Sequence, residues 1–153
     1  MGKERYAVVK AEINDQVRII KKLFDDVWKR SKGISKSAIK REALGYKLHA
    51  LYCAFEDLFK ITANYFENNI DNKKAYHREL LKRMKIEIPG VRPRLLSEQS
   101  FKLLDELRGF RHYFRHAYEY ELDAIKLKNL VRVVTELQET YLHDIESFLK
   151  NLE

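Results

Sequence analysis

The chain has 153 residues, 45% of them hydrophobic and 35% charged, with a formal net charge of +7 and a pI near 9.4. These values exclude a disordered chain and describe one domain large enough to bury a core without staples. No run approaches the roughly 20 apolar residues of a membrane span, and a single cysteine, Cys53, excludes an internal disulfide and a cysteine-rich zinc site.

Residues 4–30 carry apolar side chains at Tyr6, Val9, Ile13, Val17, Ile20, Phe24 and Val27. This three-and-four spacing predicts one long amphipathic helix, stopped by Gly33. Ser35 or Ser37 is placed to cap a second helix, with a stripe through Ile39, Leu48, Leu51, Tyr52, Phe55, Leu58, Phe59 and Phe66. The polar run ENNIDNKK (67–74) reads as a turn, and 75–86 as a shorter basic helix. In EIPGVRPRLL each proline disfavours helix at the residue before it. Ser97 is placed to cap a fourth helix running to about residue 120. A fifth begins near Asp123 and carries Leu127, Leu130, Val134, Leu137, Tyr141, Ile145, Phe148 and Leu152. No strand-like alternation appears. The expectation is an all-α antiparallel bundle of about five helices, forming a single domain over 1–153.

The N-terminus, MGKERYAVVKAE, lacks a signal-peptide apolar block, so the expected location is cytoplasmic, with no membrane partner. The basic balance favours an anionic partner. Its residues are spread over KRSKGISKSAIKR (29–41), YHRELLKRMK (76–85) and VRPR (91–94). Cys53, among Leu51, Tyr52, Ala54 and Phe55, reads as a small core residue.

One stretch departs from plain helix chemistry. RHYFRHAYEYEL (111–122) holds two arginines, two histidines and three tyrosines. At about 100° per residue, Leu103, Leu107, Phe110, Phe114, Ala117 and Tyr118 share a core-facing arc, with Leu104 and Arg111 at its edges. Tyr118 falls about 20° from Arg111. His112 and His116 lie on the opposite side with Arg108, Arg115 and Glu119. Arg111 and His116 diverge by about 140° on an unbroken helix. Their cooperation needs a bend after Phe114, a long arginine reaching around, or a second copy of the motif.

Histidine gives or takes a proton near neutral pH, and arginine holds phosphate oxygens while staying cationic. Together they suit metal-free RNA cleavage, in which a ribose 2′-OH attacks the neighbouring phosphate and arginine stabilises the charge that builds there. Aromatic neighbours can stack an unpaired base. The competing metal reading is a His112–His116–Glu119 set at i, i+4 and i+7. It lacks the paired Glu-x-x-His helices of di-iron bundles and the acid between the histidines of zinc proteases. No metal and no cofactor is therefore expected.

The motif Arg111-x4-His116-x-Tyr118 resembles the Arg-x4-His-x-Tyr motif of HepT-type toxins in the HEPN ribonuclease superfamily. The polar residue after the arginine, here His112, is a habit of that superfamily. The resemblance implies an all-α, dimerising bundle that brings two motifs into one composite cleft. It also implies a metal-independent endoribonuclease toxin, paired with an MNT-type nucleotidyltransferase antitoxin that attaches AMP to the motif tyrosine, here Tyr118. On this reading Arg111 binds the scissile phosphate and His116 is the general acid or base. His112, Arg115, Tyr113 and Arg108 support RNA binding. The alternative is a non-catalytic HEPN-type adaptor or RNA-binding module that docks a nucleotidyltransferase.

Overall fold

The computed structural model describes residues 1–67 and 76–153. Among the described residues, five α-helices make up the fold: α1 (Lys3–Arg30), α2 (Ala38–Phe66), α3 (Tyr76–Met84), α4 (Glu98–Arg115) and α5 (Ala124–Leu152). Short 3-10 turns, Ile34–Lys36 and Ala117–Glu119, complete the links before α2 and α5. Among the described residues the only extended pairing is one isolated bridge, Ile88 with Arg92. In the polar run at 67–74, Glu67 forms a turn, and residues 68–74 lie outside the described residues.

α2, α4 and α5 each begin where the sequence offers a side-chain cap. The Ser37 side chain accepts from the Lys40 N–H, Ser97 from Ser100 and Asp123 from Ile125, satisfying first-turn donors that a helix leaves unpaired. After α1, Gly33 adopts φ 73, the left-handed region that glycine enters without steric cost, and turns the chain toward α2.

α1 and α2 run antiparallel. The Arg5 guanidinium near the start of α1 donates to the Tyr65 carbonyl near the end of α2. Lys47 near the start of α2 reaches Asp26 near the end of α1 at 3.1 Å. α4 and α5 form a second antiparallel pair. Asp144 accepts from the Ser97 N–H and hydroxyl at 3.1 and 2.9 Å, and Ser100 and Thr140 share a hydrogen bond of 2.7 Å. The short α3 packs on α2 and α4.

All six α1 residues from Val9 to Val27 on the predicted stripe are buried, as are all eight of α5. Phe24 of α1, Phe55 of α2 and Tyr141 of α5 meet at the centre with ring centroids 4.9–5.9 Å apart. Such offset and edge-on pairs add about 0.5–1.5 kcal/mol each beyond burial. Burial pushes the Tyr141 hydroxyl up to about 12.

Three expectations are corrected here. Ile39, assigned to the α2 stripe, is 78% exposed, because it stands in the first turn, before the helix reaches its neighbours. Cys53 is half-buried at the edge of α2 rather than in the core. Arg92, counted in a basic stretch, is buried and inward-facing. Its guanidinium donates to Glu67 and to the carbonyls of Arg83, Ile86 and Pro93 at 3.0 Å, so it anchors the irregular link before α4 and does not face an outside anion.

Candidate functional site

The motif stretch does not continue as helix to residue 120. α4 ends at Arg115, and His116 departs from helical geometry with φ −103 and ψ 6. No glycine or proline stands at this break, so its cause is tertiary. Leu122 is buried against α2, where Gly45 admits it: a Cβ at residue 45 would lie 2.8 Å from Leu122 and 2.9 Å from the Phe114 ring. Tyr113 holds the returning chain from the other side. Its hydroxyl accepts from the Asp123 N–H at 3.1 Å, and its carbonyl accepts from the Tyr120 hydroxyl at 3.1 Å. The Lys126 ammonium sits 4.0 Å from the centre of the Tyr113 ring. A straight continuation of α4 would give up all of these contacts.

The break decides where each motif side chain lies. Arg111 is half-buried and turned toward α2, where its charge acts on His49, Tyr52 and Cys53. His112 and His116 are exposed, with ring centroids 4.4 Å apart. His116 Nδ1 lies 2.9 Å from the His112 carbonyl oxygen. A carbonyl oxygen can only accept, so Nδ1 carries the proton, and the neutral ring presents Nε2 as an acceptor.

Tyr118 is the clearest departure from the helical wheel. Placed on the core arc by helix periodicity, it is 80% exposed, because the 3-10 turn swings it outward. It borders a groove of about 630 Å³ that Phe114, Arg41, Glu42, Glu119 and Glu121 also line. A larger cavity of about 770 Å³ lies elsewhere, between the first turn of α1 and the last turns of α2 and α5.

Within one chain, the structure brings His116 to His112 and Arg111 to α2. It does not record a contact between Arg111 and His116. Of the supporting residues, Arg115 is exposed, whereas Arg108 pairs with Asp105 at 2.8 Å. The half-buried Tyr113 spends its hydroxyl on the Asp123 N–H and holds the loop. The proposed metal trio is not assembled, since Glu119 leaves the face of the two histidines at the break. Among the described residues, no group of three or more His, Cys, Asp or Glu is placed to hold a metal.

The structure adds residues to this region that motif reasoning passed over. His49 stacks on Phe114 at 5.4 Å, and its Nε2 lies 3.6 Å from Cys53 Sγ. Burial first, then the charges of Arg111 and Arg115, hold its imidazole below the usual histidine range. Burial and the Glu56 charge push the Cys53 thiol up. One helical turn further on, Glu56 is buried and both its oxygens lie 2.8 Å from His77 Nδ1. The signal was present in the sequence: His49, Cys53, Glu56 and Lys60 recur at helical spacing along α2.

A family model described as HepT-like protein matches residues 43–152, from the first turns of α2 through α5. The chain belongs to this family. The observed all-α bundle is the HEPN-like architecture that membership implies. No curated protein and no solved structure matches this HepT-like chain in comparisons with both. Among the described residues, no helix is long and apolar enough to cross a membrane.

Proposed function

We propose that this HepT-like chain is a metal-independent endoribonuclease toxin that works as a homodimer. The observation that carries this reading is the state of Arg111-x4-His116-x-Tyr118 at the break of α4. His116 is solvent-facing with Nδ1 on the His112 carbonyl, and Tyr118, two residues on, is exposed. In the reaction His116 removes the proton of a ribose 2′-OH, and the freed oxygen attacks the adjacent phosphorus. The bond from phosphorus to the 5′ oxygen breaks and that oxygen takes up a proton from solvent, leaving a 2′,3′-cyclic phosphate and a 5′-OH. Arg111 stabilises the charge that builds on the phosphate oxygens. Arg111 and His116 point apart within one chain, so the dimer is part of the proposal: a second copy supplies the missing group to each cleft.

The proposal extends to regulation. An MNT-type nucleotidyltransferase antitoxin attaches AMP to Tyr118, whose exposure suits a modified hydroxyl. The added phosphate then competes with RNA phosphate for Arg111. The test is RNA degradation by the purified chain in EDTA, abolished in His116→Ala without unfolding. Activity that survives in His116→Ala overturns the assignment. The separation of Arg111 from His116 within one chain also favours a second reading, a non-catalytic module that docks a nucleotidyltransferase or RNA. Growth arrest on expression, relieved by Arg111→Ala, distinguishes the toxin, because the module predicts no toxicity.

A further inference from the structure

One basic stretch of the sequence faces outward. Residues 29–41, KRSKGISKSAIKR, hold six basic side chains and no acidic one, and they run from the end of α1 into the first turn of α2. Lys29 pairs with Asp25 at 2.9 Å. Arg41 bends inward, donating to the Ile34 carbonyl at 2.9 Å and standing 3.8 Å from Glu121. Arg30, Lys32, Lys36 and Lys40 are exposed, and none of them has a carboxylate partner among the described residues. Like charges crowded into one short link repel one another, and an anion laid across them relieves that repulsion.

The same link presents an aromatic ring. Trp28 is 59% exposed, and the Lys32 ammonium stands 5.6 Å from the centre of its ring. The Trp28 carbonyl accepts from the Ser31 N–H and hydroxyl at 3.3 and 2.7 Å, which fixes the turn. The Lys40 side chain lies over Gly33, where a Cβ would come 2.9 Å from its Nζ, so two ammonium groups flank the turn beside the ring. A flat ring set among cations suits a base stacked on its face with the adjoining phosphates on the cations. Beyond Arg41, the groove beside Tyr118 carries Glu42, Glu119 and Glu121, which disfavour phosphate there and hold a strand to the turn.

We propose that the turn between α1 and α2 is a binding site for single-stranded RNA, in which a base stacks on Trp28 while Lys32, Lys36 and Lys40 hold the phosphates on either side. The site precedes residues 43–152, the part of the chain that matches the HepT-like family. The choice of RNA as the strand rests on the ribonuclease reading above; the stacking and phosphate contacts do not.

The probe is a fluorescein-labelled 2′-O-methyl oligouridine, which resists cleavage because its 2′ oxygen carries no proton. Heparin, a polyanion without bases, separates charge from stacking. Trp28→Ala should weaken binding of the oligouridine about 5- to 100-fold by anisotropy and leave heparin binding in place. Joint replacement of Lys32, Lys36 and Lys40 by alanine should weaken both ligands and reduce the slope of log affinity against log salt by about 2. Lys32→Ala alone, expected to reduce it by about 0.7, keeps the test open if the triple variant fails to fold. Unchanged oligouridine binding in Trp28→Ala, or equal losses on both ligands, overturns the stacking site. Tighter binding of oligothymidine overturns the choice of RNA. A fall in sedimenting mass in Trp28→Ala makes the turn a self-association surface and overturns the site as well. Cleavage of ordinary RNA is measured alongside. A chain that binds the oligouridine through Trp28 but cuts no RNA keeps this site and loses the ribonuclease reading, whereas a chain that cuts RNA while Trp28→Ala binds normally does the reverse.

Discussion

His116 Nδ1 donates to the main-chain carbonyl of His112, one turn before it, at 2.9 Å. Because the acceptor is backbone, the His112 side chain is not needed to set the His116 tautomer. Replacing the two histidines should therefore have unequal effects. His116→Ala should lower RNA cleavage by about 10²- to 10⁴-fold, the range of a lost acid or base. His112→Ala should cost much less and leave the pH profile of the reaction in place. Both side chains are exposed, so each change should move unfolding free energy by less than about 1 kcal/mol. Cleavage rates against pH, with denaturant melts of the same samples, check both statements.

His49 provides a pH dependence of stability. Burial, Arg111 and Arg115 all disfavour its cation, so its folded pKa lies below the ordinary value of 6.5. In acid the unfolded chain binds a proton that the native chain resists. Stability therefore falls as pH drops below about 6.5 and gains nothing from this group above it. His49→Phe keeps a ring against Phe114 and removes the titration. Denaturant midpoints at about pH 7.5 and about pH 5.5 should show the smaller acid loss in the variant.

The sequence revealed those elements whose signals are local and periodic. The stripes from Val9 to Val27 and from Leu127 to Leu152 are each set by burial of one helix face, and the caps Ser37, Ser97 and Asp123 by a hydrogen bond within one turn. The motif's chemistry was legible for the same reason. Its geometry was not, because Arg115 and His116 carry no residue that ends a helix. What ends α4 is Leu122 reaching Gly45 and Tyr113 bonding Asp123, contacts that periodicity cannot foresee. Extending the 3.6-residue repeat past that break is what put Tyr118 on the core arc. The Glu56–His77 pair was hidden likewise, since 21 residues separate its members.

If Gly45 sets the break, filling it should disturb the motif from a distance. Leucine at residue 45 would drive side-chain atoms into Phe114 and Leu122, where even a Cβ lies within 3.0 Å. Gly45→Leu is expected to cost about 1–3 kcal/mol as an overpacking change and to lower RNA cleavage although no motif residue is altered. Gly109 has open space around it and serves as the control, because Gly109→Ala adds a Cβ that meets nothing within 4 Å.

Arg92 and Arg94 share a basic stretch yet should behave oppositely. Arg94 is exposed, and Arg94→Ala should stay within about 0.5 kcal/mol of the parent. Arg92→Ala strips Glu67 of its principal cation and leaves three main-chain carbonyls without that donor, at a cost of about 3–5 kcal/mol. Urea denaturation of the two variants side by side reads the difference directly.

Tyr118 separates regulation from catalysis. Its side chain lies mostly in solvent beside the groove, so Tyr118→Phe removes only an exposed hydroxyl and should leave stability within about 0.5 kcal/mol. A base at His116 and a phosphate contact at Arg111 do not require that hydroxyl, so the variant should retain RNA cleavage. It cannot, however, accept an adenylate. Incubated with ATP and an MNT-type nucleotidyltransferase, the parent chain should gain the mass of one AMP and lose activity, while Tyr118→Phe gains no mass and stays active. Adenylation of Tyr118→Phe at Tyr113 or Tyr120 would reassign the acceptor. Inhibition without a mass change would point to the partner's binding as the silencing step.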